Sequence, residues 1–508
     1  MFASTRTASH PRTHVVLIPG FVGFDALGQL PYYAGISAVF QEWAQERGAR
    51  DVAIHYFDNF PTASVSLRAE RLLHFLAKKV LRGEFAEGDR VVLVGHSTGA
   101  LDMRRLLYRL TTEDPSGFVT LDGACKMAHA DILRFIQRLC FLSAPHFGTN
   151  IADFAVRLRE TAQSSLRGAA LGVQLNRDPV ASTRRALTKH LPEPRSSLVL
   201  AIADALNESD EFLGKPDKSD EGKPPKSGAD EREARAQLAL WLEHMSKEFG
   251  ILEDLRGDPT LRAKPAAHGV PKSPAHFGEA ERQRELASWS ARGITTRSYC
   301  TRVSDSPQRK NPLLAPLIAA VRAGAPLLNV LSDALTKGSK FYVAPLVAGI
   351  AYLAQTSLPA APALGALTVL NAHPELLFEL FCMLCAEGPF ERPASICGEL
   401  TDFASGNRVS SEKFEVSQSD GVVNTLSMLW PPPDPEKPEA HTHFLVEGDH
   451  GEIIGHCANK LINPDAPHAT AVNIGRKYYA YDFFQSKSTF AGPDFTKVWR
   501  HLFDFCIA

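Results

Sequence analysis

The sequence predicts an α/β fold, with a mostly parallel central sheet, helices on both faces and a large helical cap or lid built from two insertions. Three observations carry this. Short apolar runs alternate with amphipathic helical stretches from residue 14 to 150, the pattern of a parallel sheet covered on both sides. One run, Val91-Val92-Leu93-Val94, enters Gly95-His96-Ser97-Thr98-Gly99 and continues with helical spacing through Leu107. The strand pattern then returns at Gly293–Thr301 and again after residue 401, beyond two long interruptions of different character.

Taken in order, Met1–Thr13 has no apolar core of a secretory leader, and the first strand begins at His14. A cytoplasmic location is therefore expected, with secretion by a non-classical route left open. His14–Ile18 and Val52–Tyr56 read as strands. Between Tyr56 and Val91 a helix is expected, with Leu67, Leu72, Leu73, Leu76 and Val80 facing the core and Arg68, Glu70, Arg71, Lys78 and Lys79 on the other side. Leu139–Ser143 is the next strand, closing a first core segment over 14–150. Residues 151–292 read as a helical insertion carrying a charged loop at 215–233, rich in Lys, Asp, Glu, Pro, Ser and Gly, which lacks the apolar surface to order itself. A core strand over 293–305 follows, and then an apolar helical insertion over 306–400. Phe341–His373 contains no Asp, Glu, Lys or Arg, but Pro345, Gln355, Pro359 and Pro362 break it below the ~20 apolar residues of a membrane span. Buried or lid-forming helices are expected there. The second part of the core, 401–508, should resume with strands near Phe414 and Phe444 and end on a helix containing Phe495, Trp499, Leu502, Phe503 and Phe505.

Composition narrows the classes. The 508 residues are 44% hydrophobic and 22% charged with a formal net charge of −2, so nothing attracts nucleic acid at long range. The eight cysteines are scattered without a disulfide framework, and Cys382-x-x-Cys385 lies in an apolar helical stretch with no second pair nearby. Reduced thiols are expected.

A strand that turns sharply into a helix through Gly-x-Ser-x-Gly lifts a serine hydroxyl onto a nucleophile elbow. The three fixed positions recur by chance in long chains, so the argument rests on what accompanies Ser97. A serine needs a base for its proton, and the base needs a carboxylate to hold its tautomer. In the expected chain order of serine, acid, then histidine, the candidates are Asp420 and His450. Asp420 precedes Gly421 at what reads as the end of a strand, and His450 follows Phe444-Leu445-Val446 on a glycine-flanked loop. His456, His441 and His443 are alternative bases, and Glu447 and Asp449 alternative acids. The oxyanion of the intermediate needs backbone N–H donors. Thr98, after the nucleophile, and Phe21, in Pro19-Gly20-Phe21-Val22-Gly23 after the first strand, are the candidates.

Together, several segments resemble the bacterial true lipases of the α/β-hydrolase superfamily, and most closely their thermostable, metal-carrying group. These are Val16–Gly23 with Tyr32–Ile36, Gly95–Gly99, Ser143-Ala144-Pro145-His146-Phe147-Gly148-Thr149, Asp420-Gly421-Val422-Val423-Asn424-Thr425-Leu426-Ser427-Met428 and Asp449-His450-Gly451-Glu452-Ile453-Ile454-Gly455. The resemblance covers roughly 14–150, 290–305 and 410–460, outside both insertions. It implies an α/β-hydrolase fold and places the family's catalytic roles on Ser97, Asp420 and His450, with His146 a packing residue. Pro19 stands where the family commonly has His. Glu452 matches a calcium-binding glutamate, making it a candidate ligand, but the aspartate expected five positions on is Cys457, a poor partner for a hard cation. The family's zinc-binding insertion has no counterpart between Phe57 and Asp89, so zinc is not expected, and no cofactor is required.

The expectation is a serine carboxylic ester hydrolase acting on apolar acyl groups, with a small-molecule or lipid ester as substrate, transient contact with lipid surfaces, and no nucleic-acid partner. Oligomeric state stays open. Alternatives are an acyltransferase, thioesterase or polyester depolymerase on the same fold. From another class comes a catalytically inactive lipid-binding scaffold, which would resist fluorophosphonate labelling.

Overall fold

The computed structural model describes residues 11–21, 26–27, 30–59, 63–121, 125–153, 156, 250–258, 270, 273–303, 374–457, 486 and 488–508. The charged loop 215–233 and the apolar run 341–373 lie outside the described residues.

Eight strands form one sheet: β1 (Thr13–Ile18), β2 (Val52–Tyr56), β3 (Arg90–His96), β4 (Ile136–Leu142), β5 (Thr295–Arg302), β6 (Glu399–Asp402), β7 (Arg408–Ser410) and β8 (His441–Glu447). Their order is β7-β6-β8-β5-β4-β3-β1-β2. Only the β6–β7 hairpin is antiparallel, and every other pairing runs parallel. The sheet is thus assembled from three stretches of chain, with both long interruptions leaving and re-entering it. Two apolar layers flank it. On one face α1 (Ile36–Arg47) and the C-terminal helix α6 (Gly492–Ile507) cover Val15, Leu17, Val92 and Val94 with Trp43, Trp499 and Phe503. On the other, α2 (Val65–Leu81) and α3 (Thr98–Tyr108) cover Val16, Ile18, Val91 and Leu93 with Leu72, Leu76, Met103 and Leu107. Alternation along β1 and β3 sends successive side chains to opposite layers, both buried, which is why these strands read as unbroken apolar runs. From the insertions, α4 (Glu279–Arg292) and α5 (Pro374–Glu387) are described.

Strand β1 has β2 on one side and β3 on the other, so the chain winds both ways from it. At such a switch point the loops beyond the carboxyl ends part and leave a crevice. The loops carrying Phe21 and Ser97 leave from those two ends.

Three local expectations are corrected. No strand forms at Phe414: the hairpin lies earlier, at 399–402 and 408–410, and Phe414 closes a short turn, its ring buried in the core. Asp420 does not follow a strand, because its segment is irregular and pairs only through the isolated Ser419–Asn424 bridge. Arg68 is not on the solvent side of α2 but fully buried, and Leu67 is the exposed one. Arg68 lies one turn before Leu72 and two before Leu76, so helical geometry puts it on their face.

Candidate active site

The elbow is built by close approach. Ser97 has φ 53° and ψ −127°, a strained backbone for a residue with a Cβ. A Cβ on Gly95 would come within 2.6 Å of the Ala100 nitrogen, and one on Gly99 within 2.4 Å of the Ile18 carbonyl. Only glycines let α3 start this tightly against β3 and β1. Thr98 opens α3, so its amide belongs to the first turn, which has no acceptors within the helix.

Asp420 and His450 come together. His450 Nδ1 lies 2.7 Å from Asp420 Oδ2, and the His450 amide donates to the Asp420 carbonyl at 3.0 Å. What positions Asp420 is its own turn: Oδ1 accepts from the Val422 and Val423 amides at 2.9 and 2.8 Å, with Gly421 at φ 92°. Oδ2 also accepts from the Thr301 hydroxyl at 2.7 Å, and Thr301 in turn lies 2.7 Å from Ser143 Oγ. The carboxylate is fully buried, and each of its oxygens accepts two hydrogen bonds. Among the described residues the only non-glycine positions with positive φ are Ser97 and Ser143. They follow the neighbouring strands β3 and β4, and Ser143 borders this cluster through Thr301. Nothing in the sequence marks Ser143 beyond its place at the head of the run Ser143–Thr149.

No hydrogen bond joins Ser97 Oγ to His450 Nε2 among the described residues, a contact that often tightens only when substrate binds. The link between the two runs through His96, whose ring packs on that of His450 with centroids 4.6 Å apart. Ser97 and His450 are 5% and 9% exposed, so the pair sits just beneath the surface.

The rival residues are engaged elsewhere. His441 starts β8, at the far end of the sheet, against Thr296. His443 is buried in mid-strand, where desolvation pulls its pKa down to about 4. His456 lies 3.1 Å from the Tyr32 carbonyl through Nε2. Glu447 lies beside Arg302. His146 is buried against Phe141 and Trp430, and beside Arg104 its burial drives its pKa far below the ordinary value.

Under the Phe21 loop lies a group that periodicity could have located but charge concealed. Arg68 donates to the Pro19 carbonyl at 2.8 Å and to the Gly20 carbonyl at 3.2 Å, while pairing with Asp102 of α3 at 2.8 Å. Asn59 donates to the same carboxylate. Burial raises the Asp102 pKa to about 6 even with Arg68 beside it. The Gly20 carbonyl and the Phe21 N–H share one planar trans peptide, so this N–H points away from Arg68.

The metal expectations meet a closed network. Asp449 Oδ1 accepts from the Gly451 and Glu452 amides and Oδ2 from Ser486. Glu452 accepts from the Asp449 amide and from Ser488 at 2.6 and 2.7 Å. Among the described residues the two carboxylates accept from different serines and Cys457 stands buried with its thiol, a set that does not by itself supply the oxygen ligands of a calcium ion. Among the described residues no group of three His, Cys, Asp or Glu could hold a metal. Cys382 and Cys385 are buried in α5 with their thiol pKa values pushed up by desolvation, unlike reactive thiols.

Sheet order, switch point and elbow together define a protein of the α/β-hydrolase fold. No protein-family model matches the chain, and no curated protein sequence matches it. Similar solved structures include lipase 1 from Pelosinus fermentans, at 15% identity over 88% of this chain and 94% of that one, TM-score 0.37. The Staphylococcus hyicus lipase is 12% identical over 99% and 97%, TM-score 0.40. EstA from Clostridium botulinum is 15% identical over 89% and 85%, TM-score 0.33. The expected thermostable group finds no support in these three.

Proposed function

We propose that the chain is a serine carboxylic ester hydrolase, a lipase or esterase, acting on esters with apolar acyl groups. What supports the reading is a serine held at positive φ on a strand-to-helix elbow, together with the 2.7 Å Asp420–His450 pair, whose imidazole packs on the ring of His96, the residue before that serine. In this reading Ser97 Oγ attacks the acyl carbonyl while His450 Nε2 takes its proton. Asp420 holds Nδ1–H, which fixes the tautomer and stabilises the imidazolium. The Phe21 and Thr98 amides receive the oxyanion, each donor being worth roughly 3–4 kcal/mol of barrier. His450 then returns the proton to the leaving alcohol, water attacks the acyl-enzyme with His450 again as base, and Ser97 is regenerated. Apolar side chains beside these groups support a greasy acyl chain: Phe21 packs near Leu101 and Ile251, and Phe378 and Val303 lie against Val422.

The test is fluorophosphonate labelling with peptide mapping, and p-nitrophenyl ester turnover by wild type and Ser97→Ala. Labelling at Ser97 and loss of turnover in a folded variant are expected. Turnover retained without the Ser97 hydroxyl would remove the proposal.

A further inference from the structure

We propose that Tyr32 and His96 form a positioning relay that locks the oxyanion loop, the nucleophile and the base against one another. This rests on the reading of the site just given. The Gly20 amide donates to Tyr32 Oη at 2.7 Å, Tyr32 Oη lies 2.7 Å from His96 Nδ1, and His96 Nε2 lies 3.0 Å from the His450 carbonyl. The chain of contacts therefore starts one residue before Phe21, passes through the residue preceding Ser97, and ends on the backbone of the base.

Hydrogen positions follow from the two ends. An amide N–H can only donate, so Tyr32 Oη accepts from Gly20 and its own hydrogen goes to His96 Nδ1. A carbonyl can only accept, so His96 Nε2 must carry the hydrogen that reaches His450. Both ends assign the same neutral tautomer. Burial holds it there: desolvation keeps the His96 pKa far below its ordinary value and pushes that of the Tyr32 hydroxyl up. A neutral ring with one donor and one acceptor can face these two partners in a single orientation. The other neutral tautomer would set N–H against the tyrosine hydrogen and a lone pair against the carbonyl, and a flipped ring would turn C–H groups toward both partners.

Neither side chain is asked to touch substrate. The His450 backbone is gripped on both sides, by Asp420 at its amide and by His96 at its carbonyl, so its ring has one place to stand. The His96 ring also packs on the His450 ring, and the peptide after His96 belongs to Ser97. A shift at either nitrogen is thus passed to the Ser97–His450 distance, where ~1 Å can lower the rate about 100-fold.

The experiment compares wild type, Tyr32→Phe, His96→Phe and the double variant. It measures kcat and KM for p-nitrophenyl butyrate, the second-order rate of fluorophosphonate labelling, and the thermal melt. Expected for Tyr32→Phe is a fall in kcat and in labelling rate of about 10- to 100-fold, with KM within about threefold and a cooperative melt above the assay temperature. Because the two residues act as one chain, the double variant should be no slower than the slower single one. Wild-type kcat in a folded Tyr32→Phe overturns the relay, as does a loss that only tracks the unfolded fraction. Should His96→Phe not fold, Tyr32→Phe decides alone, since it deletes one oxygen. A wild type that is neither labelled nor active refutes the hydrolase reading itself and takes the relay with it.

Discussion

Replacing Arg68 by Met separates the stability of the buried cluster from the geometry it imposes. Arg68 and Asp102 pair at 2.8 Å with both side chains fully buried. Removing one partner of such a pair typically costs about 3–5 kcal/mol, because the other charge is left without compensation. Here the Asp102 carboxyl, already lifted to about 6, will take up a proton near neutral pH, which favours the lower end of that range. The Pro19 and Gly20 carbonyls also lose their donor, at about 1–3 kcal/mol for each one left unsatisfied. Even with each contribution at its low end the total is about 5 kcal/mol, a large part of the roughly 5–15 kcal/mol that holds a typical domain folded. The companion variant Arg68→Met/Asp102→Leu removes both charges, and apolar replacement of a whole buried pair is often close to neutral. Most of the ionic loss should return, while the carbonyls stay orphaned. Urea unfolding reads the stability, and p-nitrophenyl ester turnover reads the geometry. The expected result is a double variant clearly more stable than Arg68→Met yet still about 100-fold down in kcat, the scale of losing one oxyanion donor. Full turnover in the double variant would refute the argument that Arg68 aims the Phe21 amide.

Asp420→Asn should keep the fold, because its Oδ1 still accepts from Val422 and Val423. Its amide would donate to His450 Nδ1, moving the ring hydrogen to Nε2, and kcat should fall about 10⁴-fold; near-normal turnover would move the acid elsewhere. His443, with its pKa drawn down to about 4 from 6.5 by burial, binds its proton more readily in the unfolded chain. The stability it contributes is present above pH 6.5 and is lost as pH falls through 4, about 3 kcal/mol in all. His443→Leu should flatten the acid limb of a pH–stability curve by that amount, and an unchanged limb would contradict this. Chelation by EDTA should alter neither melting temperature nor turnover, whereas Ser486→Ala/Ser488→Ala should lower stability by about 1–3 kcal/mol; a melt that drops with EDTA would restore calcium to the loop.

What could be read in advance follows from which residues the fold constrains through repetition. Val91–Val94 and His14–Ile18 are buried on both faces, so their apolar runs announce them, and the elbow is announced by two glycines whose Cβ atoms would meet backbone. The pairing of Asp420 with His450 matches the order expected along the chain, although the strand expected before Asp420 is a side-chain-held turn. The polar residues beneath the site are hidden from any reading that equates charge with solvent. Arg68 shares the face of Leu72 and Leu76, and Asp102 is buried among Leu101, Met103 and Leu106. A charged residue in phase with an apolar stripe, matched by an opposite charge in phase on a neighbouring helix, is the signal that would have found them. Tyr32 and His96 carry no such mark, since they pair with each other and with backbone atoms of segments distant in the chain.

These buried polar groups answer one difficulty of the architecture. Beyond the carboxyl ends of β1, β3 and β8, backbone groups leave the sheet ladder while still buried. The Pro19 and Gly20 carbonyls, the Gly20 amide and the His450 carbonyl are four of them. Water cannot reach such groups, and an unpaired one costs about 1–3 kcal/mol. Arg68, Tyr32 and His96 each satisfy at least one with a directional bond, so the contacts that keep the strand ends stable also set the angles of these peptides. An apolar residue at any of the three would leave an orphan and free a peptide together. Stability and catalytic geometry should therefore fall in step here, whereas a trimmed leucine under α2, which touches neither, should lower stability and leave kcat where it was.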